Sequence, residues 1–215
     1  MSKIWQWLPA GYGRRLCPMN LPIAEMPLPI RFRPPTPMTD DELLVFCERN
    51  DVLWIEREAN GDIHIKPIPG CLVSATTLDI LVHLSRWSDT DGRGEVFSNI
   101  GFSLPDGSML GAYIACLHKD KVNRFTEEER RGFPRRSPDF VVEIVGPFDE
   151  PRERQEKVQK WLANGVELVW LIDPEEKSVT IYRPADEPEH LAHPTSIQGT
   201  GPIAGFELVM ARIWV

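Results

Sequence analysis

The chain of 215 residues lacks the local signatures of several common enzyme classes. It has no glycine-rich phosphate loop and no Gly-x-Ser-x-Gly nucleophile elbow. Its four cysteines are scattered without a Cys-x-x-Cys pair, and its five histidines show no metal-ligand spacing. These absences argue against a zinc site, a disulfide scaffold and serine-hydrolase chemistry, and they predict reduced thiols in a cytoplasmic protein.

Long apolar runs and excess positive charge are also missing. No apolar run approaches the roughly 20 residues that span a membrane. The formal net charge of −8 gives no global attraction to nucleic acid. One local basic cluster stands out, formed by Arg130, Arg131, Arg135 and Arg136. We interpret this cluster as a solvated loop, with a phosphate contact as the alternative.

Proline is abundant at the start of the chain, and its distribution divides the sequence. Five prolines fall between residues 27 and 37, which predicts an extended arm over residues 1–38. Residues 39–215 are long enough for one domain with a sizeable core. We therefore expect an arm followed by a single domain.

Turn and capping patterns predict the elements of the first part of that domain. Thr39 and Glu42 form a capping box at the start of a helix that ends near Asn50. Asn60-Gly61 predicts the turn of a hairpin. The other expected elements are a helix over 78–87, strands over 96–104 and 109–117, a short helix opened by a second capping box at 126–129, a surface connection over 184–201 and an edge strand or docked tail over 203–214.

The segment from Ser137 to Arg183 organises the rest. Pro138 and Asp139 open a short, β-branched apolar run that is typical of a buried strand. Alternation along a strand places Asp139, Val141 and Glu143 on one face. A helix should begin at Pro151, with Asp149 as its N-cap, and end at 164–165; it carries Lys157. A second apolar strand follows over 166–172, so the segment predicts an α/β crossover.

The chemistry-bearing residues of this crossover are two carboxylates and a lysine. A carboxylate in a buried strand is costly unless a metal ion or a lysine compensates it. Asp139, Glu143 and Lys157 could support metal-dependent phosphodiester hydrolysis, in which carboxylates hold a hard cation and a lysine stabilises developing charge. Structural ion pairing is the alternative reading of the same spacing.

The sequence resembles the Uma-two family of endonucleases, within the PD-(D/E)XK restriction-endonuclease-like superfamily. The resemblance covers residues 39–214 and rests on Thr39-Asp-Asp-Glu-Leu-Leu, Ile55-Glu-Arg, Phe102-Ser-Leu-Pro-Asp-Gly, Arg131-Gly-Phe-Pro, Ser137-Pro-Asp-Phe-Val-Val-Glu, Lys157, Ala163-Asn-Gly-Val and Trp170-Leu-Ile-Asp-Pro-Glu. It implies an α/β fold with a mixed central sheet flanked by helices, with an N-terminal hairpin. It also implies Mg²⁺-dependent cleavage of DNA, with Glu143 as metal ligand and Asp139 and Lys157 as catalytic partners.

The chain departs from the family pattern at the expected second aspartate. The family carries a Pro-Asp pair after the Asp-Gly turn, whereas this chain has Gly111-Ala112. Counting in steps of two puts Ala112, Ile114 and Cys116 on one apolar strand face. The polar groups that the family tends to carry before its first long helix are also missing, at 70–74. A site with one carboxylate holds Mg²⁺ poorly, so we expect a weakened or inactive endonuclease.

The alternative function is a pseudonuclease that keeps the fold as a binding or assembly module. DNA and a second copy of the chain are the candidate partners, and no membrane association is expected. We further expect Lys157 to lie within ion-pair reach of Glu143. Glu56 is a further candidate for the same pocket, with an exposed strand position as the alternative.

Overall fold

The computed structural model describes residues 27–147 and 149–214, so the first 26 residues of the predicted arm lie outside the described part. The strands are β1 Ile30–Phe32, β2 Leu53–Arg57, β3 Ile63–Pro67, β4 Gly94–Ser103, β5 Met109–His118, β6 Phe140–Ile144, β7 Leu168–Asp173, β8 Ser178–Tyr182, β9 Glu189–Ala192, β10 Ser196–Gln198 and β11 Glu207–Val209. The helices are α1 Asp40–Arg49, α2 Cys71–Asp91, α3 Lys119–Val122, α4 Glu127–Arg131 and α5 Pro151–Ala163, with short 3₁₀ turns at Gly201–Ile203 and Met210–Arg212.

Nine strands of the described residues form one mixed sheet, and β5 is its branch point. Along one edge β5 pairs with β4; along the other it pairs first with β2 and then with β6. The β2 branch continues through β3 to β1, and the β6 branch continues through β7 and β8 to β9. Strands β6 and β7 are parallel, and α5 is the crossover between them. The predicted α/β fold with a mixed central sheet and flanking helices is confirmed.

The two faces of β6 bury different clusters. Phe140, Val142 and Ile144 pack with Trp170 and with residues of α2 in the larger cluster. Val141 packs with Val158 and Trp161 of α5 in the second. The predicted alternation of this strand and the packing of α5 upon it are therefore confirmed, and α5 covers the face on which Glu143 lies.

Local capping signals set most helix boundaries. Both predicted capping boxes form, at Thr39 with Glu42 and at Thr126 with Glu129. The N-cap of α5 is Glu150 rather than the predicted Asp149. Asp149 instead accepts a hydrogen bond from the Gly146 amide at 2.9 Å and pairs with the ammonium of Lys66 at 2.8 Å. This ion pair fixes the loop between β6 and α5.

Helix α2 is longer than leucine spacing alone indicated. It begins directly after Gly70 and ends at Gly92, whose φ of 77° terminates it. Val73, Thr76 and Thr77 extend its buried face by a full turn before the first leucine of the predicted pattern. Ser74, Ala75, Thr76 and Thr77 interrupt the apolar spacing of this first part of the helix.

The segment over 184–201 is mostly exposed, as predicted for a surface connection, but it contains two strands that the sequence did not indicate. Strand β9 extends the main sheet, and β10 pairs with β11 in a separate two-stranded sheet. Ile197 and Leu208 of that small sheet are buried in the larger cluster. The segment over 203–214 is accordingly a docked tail. Within the predicted arm, residues Ile30–Phe32 pair with β3 and add a strand to the sheet.

The predicted shared face of Ala112, Ile114 and Cys116 is also wrong. Ala112 packs in the cluster on the α5 side, whereas Ile114 and Cys116 pack in the other cluster. The β4–β5 ladder is interrupted at this point, between the pairs Ser98–Ile114 and Ile100–Ala112. Asn99, between those pairs, has a left-handed φ of 49°, which breaks the regular alternation.

Candidate active site

Glu56, Glu143 and Lys157 meet on the face of the sheet that α5 covers. The ammonium nitrogen of Lys157 lies 2.9 Å from Oε1 of Glu56 and 3.0 Å from Oε1 of Glu143. Both carboxylates are buried, with 5% of each residue exposed. The structure thus brings Glu143 and Lys157 together as expected, and it places the further candidate Glu56, from β2, in the same pocket rather than at an exposed strand position. We refer to these three residues as the carboxylate–lysine cluster.

Hydrogen bonds from the surrounding framework fix both carboxylates. The indole of Trp161 donates to Oε1 of Glu143 at 2.7 Å. The indole of Trp54 and the amide of Gly111 donate to Oε1 of Glu56 at 3.1 and 2.9 Å. The ammonium of Lys157 also donates to the carbonyl oxygen of Gly111 at 2.7 Å. Each carboxylate therefore keeps a protein donor besides the lysine.

Residue spacing explains why these partners converge. Trp161 follows Lys157 by one helical turn, so both side chains reach the same part of the sheet. Trp54 precedes Glu56 by two strand positions and shares its face. A side chain at Gly111 would begin 2.6 Å from the Trp54 ring, so only glycine lets the ring lie against the backbone of β5. The indoles and this glycine were missed from sequence, although the i, i+4 and i, i+2 spacings carried the signal.

Opposing electrostatic effects shift the pKa values of the two carboxyl groups in opposite directions. Burial is the largest single effect on Glu56 and opposes its ionisation. The charges of Lys157 and Lys66 and the hydrogen bonds from Lys157 and Trp54 together outweigh burial and lower the pKa of Glu56 to about 2. Burial raises the pKa of Glu143, and Lys157 offsets only part of that effect. Burial disfavours the charged ammonium, yet Glu143 and Glu56 together hold the pKa of Lys157 above its ordinary value. Glu56 and Lys157 are therefore the firmly charged members of the cluster.

Asp139 lies outside the cluster. Its Oδ1 is 2.6 Å from the ammonium of Lys121, and its Oδ2 accepts a hydrogen bond from the His118 amide at 2.7 Å. These contacts join the start of β6 to the end of β5 and to α3. The structure does not bring Asp139 to Glu143, so its predicted catalytic role has no support in the geometry.

A small cavity of about 40 Å³ lies beside Glu143 and Lys157. Its wall includes Trp54, Tyr113 and the Lys66–Asp149 ion pair. Such a volume admits two or three water molecules. Tyr113 is opposite Glu143 in the extended register of β5 and β6 and lines the cavity. Ala112 is buried in the cluster between the sheet and α5 and does not line it.

The arginine cluster before β6 is largely neutralised by nearby acids. Arg135 pairs with Asp40 and with Glu128, at 3.3 and 2.8 Å. Arg131 and Arg136 lie within 4 Å of carboxylates of α4, and Arg130 donates to a backbone carbonyl of α3. This pattern favours the solvated-loop interpretation over a phosphate contact.

The side chains present do not fit the Mg²⁺ ion that the family resemblance implies. Within the described residues, no three His, Cys, Asp or Glu side chains are grouped to hold a metal ion. Both oxygens of Glu143 already contact Lys157, and Oε1 also binds Trp161. Glu56 lies across the same ammonium, and Asp149 is held by Lys66. Mg²⁺ requires several free oxygen ligands in octahedral geometry, which this arrangement does not offer.

No helix of the residues that the structure describes is both long and apolar enough to cross a bilayer.

Comparison with known proteins places the fold and the family. A crystal structure of a putative nuclease belonging to DUF820 from Anabaena variabilis matches with a TM-score of 0.69 and 22% identity, over 83% of this chain and 98% of that one. The DrdV–DNA complex matches with a TM-score of 0.34 and 10% identity, over 57% of this chain and 85% of that one, a likeness too weak to bear on the argument. No curated protein matches. The family model Uma2, "Putative restriction endonuclease", matches residues 40–211, and the chain therefore belongs to the Uma2 family.

Proposed function

We propose that this chain is a DNA endonuclease of the Uma2 family that has lost most or all of its cleavage activity. The observation that carries the proposal is the engagement of Glu143, because both of its oxygens bind Lys157 and one also binds Trp161. A metal-dependent nuclease needs carboxylate oxygens free for the cation that polarises the phosphate. Here those oxygens are already occupied by protein donors.

The neighbour of Glu143 on β5 supports the same conclusion. Burial raises the pKa of the Tyr113 hydroxyl, so the phenol stays neutral near pH 7 and is a poor ligand for a hard cation. The missing family aspartate was assigned to Ala112 from sequence. The geometry makes Tyr113 the better position for a second carboxylate, because Tyr113 lines the cavity beside Glu143 and Ala112 does not.

Plasmid nicking with Mg²⁺ or Mn²⁺ tests the proposal. We expect wild-type protein to nick at or near the background rate. Asp139→Asn is a matched control, because Asp139 is a buried acid of the same segment that lies outside the cluster. If wild type nicks plasmid with Mg²⁺, and Glu143→Gln abolishes nicking while Asp139→Asn does not, then the proposal is wrong.

Restoring a carboxylate distinguishes the two candidate positions. Tyr113→Asp should increase Mn²⁺ affinity, measured by calorimetry, by an amount that Glu143→Gln reverses. Ala112→Asp should destabilise the fold without increasing affinity, because it buries an unpaired charge among apolar side chains. If Ala112→Asp increased Mn²⁺ affinity and Tyr113→Asp did not, position 112 would be the place of the missing carboxylate.

The alternative function is a binding or assembly module built on the same fold. The small cavity favours it, because about 40 Å³ beside Glu143 leaves little room for a phosphodiester group, whereas the exterior of the fold stays available to partners. Sedimentation of the full-length chain tests for a second copy. Fluorescence anisotropy across a salt series tests for DNA, which should bind weakly at a net charge of −8.

A further inference from the structure

Three acceptor groups surround the ammonium of Lys157 inside the protein. They are the Glu56 carboxylate at 2.9 Å, the Glu143 carboxylate at 3.0 Å and the Gly111 carbonyl oxygen at 2.7 Å. A primary ammonium has three N–H donors, so donors and acceptor groups match one to one. We infer that β2, β5 and β6 together form a binding site for a primary ammonium group, and that Lys157 fills this site from α5.

The site is built largely without the lysine. Trp161 fixes Glu143, and Trp54 with the Gly111 amide fixes Glu56, so the acceptors keep their donors when Lys157 is removed. The Trp54 ring lies 5.7 Å from the ammonium nitrogen, at cation–π range. Removal of the lysine side chain should therefore leave a preorganised anionic pocket rather than a collapsed one.

The acceptors favour an ammonium over a divalent cation. Oε1 of Glu143 and Oε1 of Glu56 each receive an N–H hydrogen bond from the framework besides the ammonium, which weakens them as metal ligands. Oε2 of Glu143 accepts from the same ammonium at 3.1 Å. The ligand class of the emptied pocket is then the small primary alkylammonium ion. In the native protein, the lysine supplies this cation permanently, and the fold needs no divalent ion for stability.

Thermal unfolding of full-length Lys157→Ala tests this inference. Loss of a buried ionic partner should lower the Tm by about 10 °C. The n-propylammonium ion restores the atoms that the substitution removes. At ten times its dissociation constant it should raise the Tm of the variant by about 4 °C. 1-Propanol lacks the charge, and tetramethylammonium lacks the donors, so neither should do so.

Lys160→Ala is the matched control variant. Lys160 lies on the same helix, is partly exposed and pairs with Glu58 alone among the acidic side chains of the described residues. Its Tm should fall little and should not respond to n-propylammonium beyond the wild-type response. Equal responses of the two variants would overturn the inference, as would a larger rise of the Lys157→Ala Tm with Mn²⁺ than with n-propylammonium.

Two further measurements keep the test decisive if Lys157→Ala does not fold. The wild-type Tm should not change with EDTA or added Mg²⁺, and a fall in EDTA would overturn the inference. Refolding of Lys157→Ala from denaturant should recover more native protein in n-propylammonium than in 1-propanol, and equal recovery would overturn it. These readouts report stability, so wild-type DNA cleavage would defeat the proposed function and leave this inference standing.

Discussion

Asp139 and Glu143 lie four residues apart on one segment of the chain, are almost equally buried, and have different surroundings. Asp139, just before β6, pairs with Lys121, whose side chain is 37% exposed. Glu143, near the end of β6, pairs with Lys157, whose side chain is 15% exposed, and faces a second carboxylate across it. The first acid fastens a strand to its neighbours; the second belongs to an enclosed group of charges.

This contrast predicts that the loss of the cationic partner destabilises the fold by different amounts at the two acids. A half-exposed partner leaves Asp139 in contact with a solvated charge, so the loss of that partner costs little. The charges around Glu143 are held in a low-dielectric interior, where removal of one leaves the others uncompensated. Equal burial of two acids therefore does not imply equal sensitivity to substitution.

The largest expected effect comes from the lysines of the two sites. Lys157→Met should lower the free energy of unfolding by about 4 kcal/mol, because it leaves two buried carboxylates without their cation. Lys121→Met should cost about 1 kcal/mol or less. Urea unfolding of both variants provides the measurement. Similar losses would mean that the two sites do not differ as their surroundings indicate.

A buried histidine extends the comparison to pH. His64 is opposite Glu56 in the β2–β3 register, 4.0 Å from Glu153, and flanked by Arg31 and Lys66. Burial lowers the pKa of His64 from 6.5 to about 4. A histidine whose pKa is lowered by folding stabilises the protein at pH values above its ordinary pKa. This stability is lost as the pH falls from the ordinary pKa through the pKa of the folded state.

We therefore expect the free energy of unfolding to fall by up to about 3 kcal/mol between pH 6.5 and 4. Chemical denaturation at several pH values measures this slope. In His64→Gln, which does not titrate, the slope over this range should flatten. Glu143 acts in the opposite direction, because its pKa is raised by burial. An unchanged slope in His64→Gln would assign the acid sensitivity to other groups.

The indole of Trp161 provides a smaller effect. Trp161→Phe keeps an aromatic ring against Phe102 but removes the hydrogen bond to Oε1 of Glu143. Loss of a hydrogen-bond donor to this buried carboxyl group should cost about 2 kcal/mol. Phe102→Leu controls for the lost aromatic contact, and urea unfolding compares the two. A Trp161→Phe loss no larger than the control would show that the indole N–H does not stabilise Glu143.

The smallest expected effect is on the Asp139 side. Asp139→Asn keeps an acceptor for the His118 amide and loses the ion pair with Lys121. It should cost about 1 kcal/mol, whereas Glu143→Gln changes the charge balance of the whole cluster. A thermal scan of the pair gives the ranking. If Asp139→Asn proved the more damaging change, the division between the two sites would be wrong.

Sequence patterns predicted local structure well. They missed features that depend on contacts between residues far apart in the sequence. The capping boxes at Thr39 and Thr126 and the course of α5 follow from short-range hydrogen bonds that a few neighbouring residues determine. The pairing of Lys157 with Glu143 was predicted because a buried acid needs a cation.

The rest arises from distant segments, so Glu56 could be named only as a further candidate beside the alternative of an exposed strand position. Glu56 reaches the cluster through the pairing of β2 with β5, which no local spacing encodes. The position of Tyr113 depends on the break in side-chain alternation opposite Asn99. Assigning every second residue to one strand face assumes regular alternation and therefore cannot detect this break. Sequence reasoning therefore identified the strand that borders the cavity, whereas the identity of the side chain that lines it, Tyr113, depends on the fold.

The branch at β5 also bears on the order in which the chain can fold during synthesis. The N-terminal hairpin of β2 and β3 forms from neighbouring residues, but Glu56 meets its cation only after about a hundred further residues have been made. Until α5 docks, Glu56 can stay ionised only while it remains in contact with water. The β2 branch should therefore close onto β5 late, and hydrogen exchange should show its amides gaining protection together with those of α5 rather than with those of the β4–β5 pair.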